Sequence, residues 1–274
     1  MKIRQAASAL GAYATDVSIA DAVTSADAFH EVHAAVLQYQ VLFLRDQDII
    51  PAEFEAFSRQ FGEVLRHPAY PTVEGTEDVQ VLESTADKPT KIEVWHSDMT
   101  FSLTPPSFTM LHGQIIPAVG GDTLWSSAQA AYAALSLPMQ TFLQGLVAEH
   151  DFRRGFAESL AEPGGSARLA PGIEANPPVM HPLVRSHPQT GAKSLYVNDL
   201  FTTRVSELTA LESQRLLQFL YRHIVTEEFT VRLQWQPNTI AIWDNRSTQH
   251  KPINDFLGQH RRMHRVTIAG DRPC

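Results

Sequence analysis

His96, Asp98 and His250 are side chains that could share one metal ion. Imidazole nitrogen and carboxylate oxygen both suit ferrous iron. Two histidines and one carboxylate grip one face of the ion and leave the opposite positions open. In an extended segment, residues i and i+2 point the same way, so His96 and Asp98 can reach one ion from a single strand end. His250 must arrive from a distant part of the chain, which a rolled sheet permits. Arg261 lies eleven residues after His250. Its planar fork of donors matches a carboxylate with two parallel charge-assisted bonds. The four residues suit an iron centre that binds a small dicarboxylate and activates oxygen. The His-x-Asp tripeptide alone is weak, since about one match arises by chance among this many histidines. A zinc hydrolase could use the same three ligands, though it would need neither oxygen nor Arg261.

Positioning such groups needs a folded scaffold. The chain has 274 residues, 43% of them hydrophobic, enough for a substantial core in one large domain or two small ones. The net charge is −8, with no dense lysine-arginine run, which argues against nucleic-acid and membrane-surface partners. Cys274 is the single cysteine, so an intrachain disulfide and a cysteine zinc site are excluded. No apolar run approaches the roughly 18 residues needed to span a bilayer. Residues 1–10 lack the apolar core of a signal peptide, and a cytoplasmic protein is expected.

Apolar residues at helical spacing (Phe29, Val32, Val36, Leu37) predict a helix over 25–40, followed by a short buried strand at 41–44. Pro51 opens a second predicted helix that ends at Gly62. Further strands are predicted at 79–82, 108–116, 123–126, 195–197, 229–235, 239–243 and 264–268, separated by turn residues. Thr209 and Glu212 form a capping box that starts a late helix. Many short strands with flanking helices predict a mainly β protein, a two-sheet barrel or jelly roll. The stretch 155–178 is rich in Gly, Ala and Pro and has little periodicity. It is expected to be a long surface loop, a candidate lid.

Around the ligand candidates stand the blocks WHSDMTF, GGDTLW, EHDFR, HPLVRSHP, WQPN, IWDNRSTQH and RRMHRVTI, in that order, within a stretch from residue 41 to residue 270. In these blocks the chain resembles the taurine dioxygenase family of Fe(II)/2-oxoglutarate oxygenases. The resemblance implies a double-stranded β-helix in one domain spanning 1–274. It implies Fe(II) held by His96, Asp98 and His250, with 2-oxoglutarate and O2 as co-substrates. Arg261 falls where the family binds the distal carboxylate of 2-oxoglutarate, and Thr123 matches a hydroxyl contact to the same acid. His67 and Arg265 match positions that hold a sulfonate, and Tyr70 and Phe156 match aromatic positions near the substrate. Arg265 lies four residues past Arg261, so both can face one side of a strand.

The family resemblance further implies a homo-oligomer, a dimer or tetramer. The expected activity is hydroxylation of an organosulfonate, giving sulfite and an aldehyde with succinate and CO2. Alkyl sulfates and aryloxyalkanoates are the alternative substrates. Just before the metal motif the chain departs from taurine-specific members. Ile92 stands where the resemblance implies polar contacts to the substrate amine, and it cannot accept a hydrogen bond from an ammonium. A more apolar sulfonate or another organic acid is left as the candidate substrate.

Overall fold

The computed structural model describes residues 1–66, 70–90, 92–256 and 258–274. Among the described residues, a seven-stranded sheet faces a three-stranded one. From edge to edge the large sheet runs Lys2–Gln5, Ala12–Thr15, Val41–Leu44, Ile240–Asp244, Phe108–Ile115, Arg261–Thr267 and Gln80–Ser84. The smaller sheet places Thr123–Ser127 between Thr230–Leu233 and Thr248–Pro252. A further three-stranded sheet (Thr202–Val205, Val147–His150, Val179–Pro182) and a hairpin of Val184–Ser186 with Lys193–Leu195 complete the β structure.

Side-chain alternation along Arg261–Thr267 shows how the layers form. Met263 packs between the two facing sheets with Trp125, Leu233 and Trp243. Val266 faces the other way, into a core shared with Val32, Val36, Phe54 and Phe57 of the flanking helices. Residues two apart share a face, so Arg261 and Arg265 lie on the Met263 side, between the sheets. Trp125, from the small sheet, closes that interior against Trp243 at 5.6 Å and Phe43 at 5.4 Å between ring centroids.

The three predicted helices begin where the sequence places them; the short helices Ile19–Thr24, Ala128–Ala133, Leu137–Leu143 and Phe152–Gly155 are not among those predicted. Ser25 caps Ala26–Tyr39 by accepting from the Ala28 amide, and the helix ends at Gln40, whose φ of 65° is left-handed. Thr209 and Glu212 form the predicted capping box of Ala210–Ile224. Pro51–Arg59 is the second predicted helix. Several strand boundaries move by a few residues: 195–197 becomes Lys193–Leu195, and 264–268 begins earlier, at Arg261.

The stretch 155–178 departs further from expectation. It carries the helices Ala157–Ala161 and Gly165–Ala175, with Pro171 inside the second. Leu169 and Ile173, four apart, are the apolar contacts this helix makes with the cluster of Phe101, Phe152 and Phe201. Gly172 lies so close to Phe152 that a Cβ there would sit 2.9 Å from the ring. A helix held by two apolar positions and a glycine leaves almost no periodic signal in the sequence. Among the described residues, no helix is long and apolar enough to cross a membrane.

Candidate metal and oxyacid site

The site begins with backbone. Residues 96 and 250 form an antiparallel bridge, with His96 N–H donating to the His250 carbonyl at 3.0 Å and the reverse bond at 2.7 Å. Ser97 Oγ donates to the Thr248 carbonyl at 2.6 Å, tying the same segment to the small sheet a second time. The chain then turns sharply. Met99, directly after Asp98, has a φ of 47°. A non-glycine residue in this left-handed region costs on the order of 1–3 kcal/mol, so the surrounding bonds must hold it there.

This backbone brings the three predicted ligands together, all of them buried. One donor atom from each lies within 4.8 Å of the other two. Asp98 Oδ1 stands 3.8 Å from His96 Nε2 and 3.9 Å from His250 Nε2. The His96 Nδ1–H donates to the Val94 carbonyl at 2.8 Å. That bond fixes the tautomer and leaves the Nε2 lone pair free for a metal. His250 Nδ1 has no hydrogen-bond partner among the described residues. Two imidazole nitrogens and one carboxylate oxygen facing a common point fit a divalent first-row metal.

The electrostatics favour the ligand forms. Burial holds His96 below its ordinary value, and burial followed by His96 itself pushes His250 down to about 3. Both rings are therefore neutral at pH 7, as ligands must be. For Asp98 burial alone acts upward. Arg265, His250, His96 and the Thr109 hydroxyl together outweigh it and hold the carboxyl well below the usual range.

Arg265 Nη2 reaches Asp98 Oδ1 at 3.1 Å, and its Nε donates to Thr267 Oγ1 at 3.1 Å. A half-buried cation therefore stands directly beside the candidate metal position. Arg261 lies on the same face of the strand, four residues earlier. Its guanidinium carbon is 5.9 Å from the Trp235 ring centre and 6.0 Å from that of Phe256. Burial lowers it to about 10 against the opposing pull of Asp122, so it stays cationic at neutral pH. Its Nε has no hydrogen-bond partner among the described residues, which suits a site for an anion. Gly121 makes room for it. Its φ is +73°, and a Cβ there would lie 3.4 Å from Arg261 Cδ. The Thr123 hydroxyl accepts from Trp235 Nε1 at 2.9 Å, so the indole near Arg261 is also held by Thr123.

The remaining predicted residues fall as follows. Tyr70 is half-buried, and its carbonyl accepts from Gln80, the strand partner of Arg265. Ile92 is exposed, and its carbonyl accepts from Asn254 Nδ2 at 3.0 Å. Phe156 stacks on Phe152 at 4.2 Å in the aromatic cluster, and Phe201 of that cluster stands edge-on to His96 at 6.5 Å. His67 lies outside the described residues. Sequence reasoning passed over Thr109, Asn245, Gly121 and Phe201. Asn245 and Gly121 stand inside quoted blocks, but nothing in Thr109 or Phe201 marks either from an ordinary buried residue.

Comparison with known proteins agrees with this geometry. Residues 2–267 match the family described as "Taurine catabolism dioxygenase TauD, TfdA family". The chain is 34% identical to an alkylsulfatase of Acinetobacter baylyi over 99% of its own length and 86% of that protein. It is 33% identical to an alpha-ketoglutarate-dependent sulfate ester dioxygenase of Pseudomonas putida, covering 88% of this chain and 81% of that one. A solved structure described as a putative alpha-ketoglutarate-dependent taurine dioxygenase from Burkholderia xenovorans superposes with a TM-score of 0.85 at 33% identity, covering 99% of this chain and 93% of that one. The fold is thus the double-stranded β-helix of 2-oxoglutarate-dependent dioxygenases (alpha-ketoglutarate is the same acid). The chain belongs to the taurine dioxygenase family, whose members use Fe(II), 2-oxoglutarate and O2.

The buried histidines set an acid limit on the fold. His112 and His264 are lowered to about 4 and His250 to about 3, and His96, His150 and His181 are lowered too, with burial the leading cause throughout. Each ring is neutral when folded and takes up a proton near 6.5 when unfolded. Their contribution is therefore complete above about pH 6.5 and is lost as pH falls through and below it. The melting temperature of the metal-free protein is expected to be level above pH 7 and to drop well before carboxylates titrate. A melting temperature unchanged between pH 7 and 5 would contradict these assignments.

Proposed function

We propose that the protein hydroxylates a small organosulfonate at the carbon bearing sulfur, releasing sulfite and an aldehyde. In this reading His96, Asp98 and His250 hold the iron, Arg261 and Thr123 bind the distal carboxylate of 2-oxoglutarate, and Arg265 with His67 binds the sulfonate. The observation that carries the reading is the position of Arg265, within hydrogen-bond reach of the carboxylate oxygen that faces both imidazoles. A cation so close to the metal position would hold an anionic head with the adjacent carbon beside the reacting centre. Positioning of this kind is the protein's main contribution to the rate.

Iron and 2-oxoglutarate, when bound, supply the oxidation of the C–H bond by O2. One oxygen atom ends in succinate and the other in the hydroxylated substrate, with loss of CO2. The hydroxylated carbon then loses its hydroxyl proton and forms a carbonyl while the C–S bond breaks, and the electron pair leaves with sulfite. The side chains around the metal keep water out. Phe201 stands edge-on to His96, Phe101 and Phe152 are buried in the same cluster, and Leu169 and Ile173 of the helix Gly165–Ala175 pack against it. We read this helical segment as the cover of the site. Tyr70 and Phe156 belong to the substrate side. Ile92, apolar and exposed, supports a substrate without an amine. The setting proposed is cytoplasmic, as one domain assembled into a homo-oligomer.

Sulfate esters are the second reading, favoured by the two relatives that act on them. Their S–O3 head is the same tetrahedral oxyanion, and hydroxylation of the carbon bearing the ester oxygen would release sulfate instead. The released anion separates the two. Incubation with a panel of alkyl and aryl sulfonates and sulfates is expected to give sulfite in step with succinate. Sulfate alone would move the assignment to esters, and release of neither would refute both readings.

Substitution separates the arginines. Arg265→Ala is expected to raise KM for the anionic substrate roughly 10- to 100-fold, the loss of a charge-assisted contact of about 1.5–3 kcal/mol. Arg261→Ala should do the same to the 2-oxoglutarate requirement. The reverse ranking in steady-state kinetics would mean that the two roles are exchanged.

A further inference from the structure

Asp98 has two carboxylate oxygens, and only Oδ1 faces the imidazoles. Oδ2 accepts a 2.7 Å hydrogen bond from Thr109 Oγ1. Thr109 Oγ1 in turn accepts from Asn245 Nδ2 at 2.8 Å. Asn245 Oδ1 accepts from Trp243 Nε1 at 3.1 Å and from the Asp98 amide at 3.2 Å. The directions in this chain are forced. Two N–H donors converge on Asn245 Oδ1, so the amide must present its nitrogen to Thr109. Thr109 then has one proton, and the carboxylate receives it. Thr109, Asn245 and Trp243 are at most 2% exposed, so no solvent competes for these bonds.

The relay is part of the large sheet. Thr109 and Trp243 are directly opposed partners in the pairing of Phe108–Ile115 with Ile240–Asp244. Thr109 is also opposed to Thr267, which holds Arg265 Nε through its hydroxyl. One rigid strand thus sets Asp98 from below and lies beside the strand that carries both arginines.

We propose that Thr109, oriented by Asn245 and Trp243, is a positioning residue that locks Asp98 Oδ2 and so presents Oδ1 alone to the metal. The proposal rests on the metal-site reading given above. Outer partners of metal-ligating carboxylates restrict rotation of the group, and their loss typically costs about 10- to 100-fold in metal affinity. A carboxylate free to rotate can also bind through both oxygens, which would take a position that a co-substrate needs.

The test measures Mn(II) and Co(II) binding to the full chain by calorimetry, with Mn(II) paramagnetic resonance and Co(II) visible absorption as reports of coordination. Thr109→Val removes the hydroxyl at nearly constant volume, and Thr109→Ser keeps it. Trp243→Phe removes the N–H at the far end of the relay and keeps an aromatic ring against His250, which lies 4.9 Å away between centroids. Thr109→Val is expected to weaken both metals about 10- to 100-fold and to alter the spectra. Thr109→Ser should bind within about threefold of the unmodified protein, and Trp243→Phe should show a smaller loss of the same sign. Equal affinities for the valine and unmodified proteins would overturn the proposal. So would equal losses in the valine and serine variants, which would assign Thr109 a packing role. If the unmodified protein binds neither metal, the metal-site reading itself fails and the relay with it.

Discussion

Two backbone hydrogen bonds between residues 96 and 250 hold together groups more than 150 positions apart in the chain. They are ordinary antiparallel ladder bonds, yet both imidazoles depend on them. Each histidine sits at the bridge itself, so its ring leaves the backbone from a fixed point, and the rings meet at 4.2 Å between centroids. The bridge forms because Thr248–Pro252 is held by Thr123–Ser127, which Trp125 anchors to the opposite sheet. Core packing between the sheets is thus what determines donor geometry at the site.

The charges follow from that placement. The interior between the sheets disfavours any charge, and it accepts Asp98 only because Arg265 and hydrogen-bond donors surround it. The imidazoles stay neutral for the same reason, since burial penalises the proton that would compete with a metal. Arg261 is the exception that points to a ligand. It is a cation between aromatic rings whose Nε has no partner among the described residues, over a glycine that leaves it room. Such a group is costly unless an anion completes it. Both arginines lie on the between-sheet face of one strand, so two cations line the same interior.

Much of this was legible in the residue string. His96, Asp98, His250 and Arg261 stand in blocks whose order is specific, and alternation along a strand was enough to put Arg261 and Arg265 on one face. The capping box at Thr209 and the buried run at 41–44 were equally plain. What stayed hidden depends on tertiary contact. Thr109 is a threonine in a buried strand, unmarked until its hydroxyl is seen against Asp98. The helix Gly165–Ala175 touches the core through Leu169 and Ile173 and includes a proline, so its sequence has the composition of a loop. The strands Lys2–Gln5 and Ala12–Thr15 are four residues each, and the first is mostly exposed, too short to carry a period-two pattern.

The central claim is that His96, Asp98 and His250 bind one Fe(II) with Arg261 behind it to seat 2-oxoglutarate. An anaerobic titration of 2-oxoglutarate into the Fe(II)-loaded protein, followed by visible absorption, tests it most directly. A metal-to-ligand charge-transfer band that saturates with the acid, and that Asp98→Ala and Arg261→Ala each abolish or shift to much higher concentration, is the predicted result. A protein that binds iron yet develops no band at any 2-oxoglutarate concentration would contradict the account.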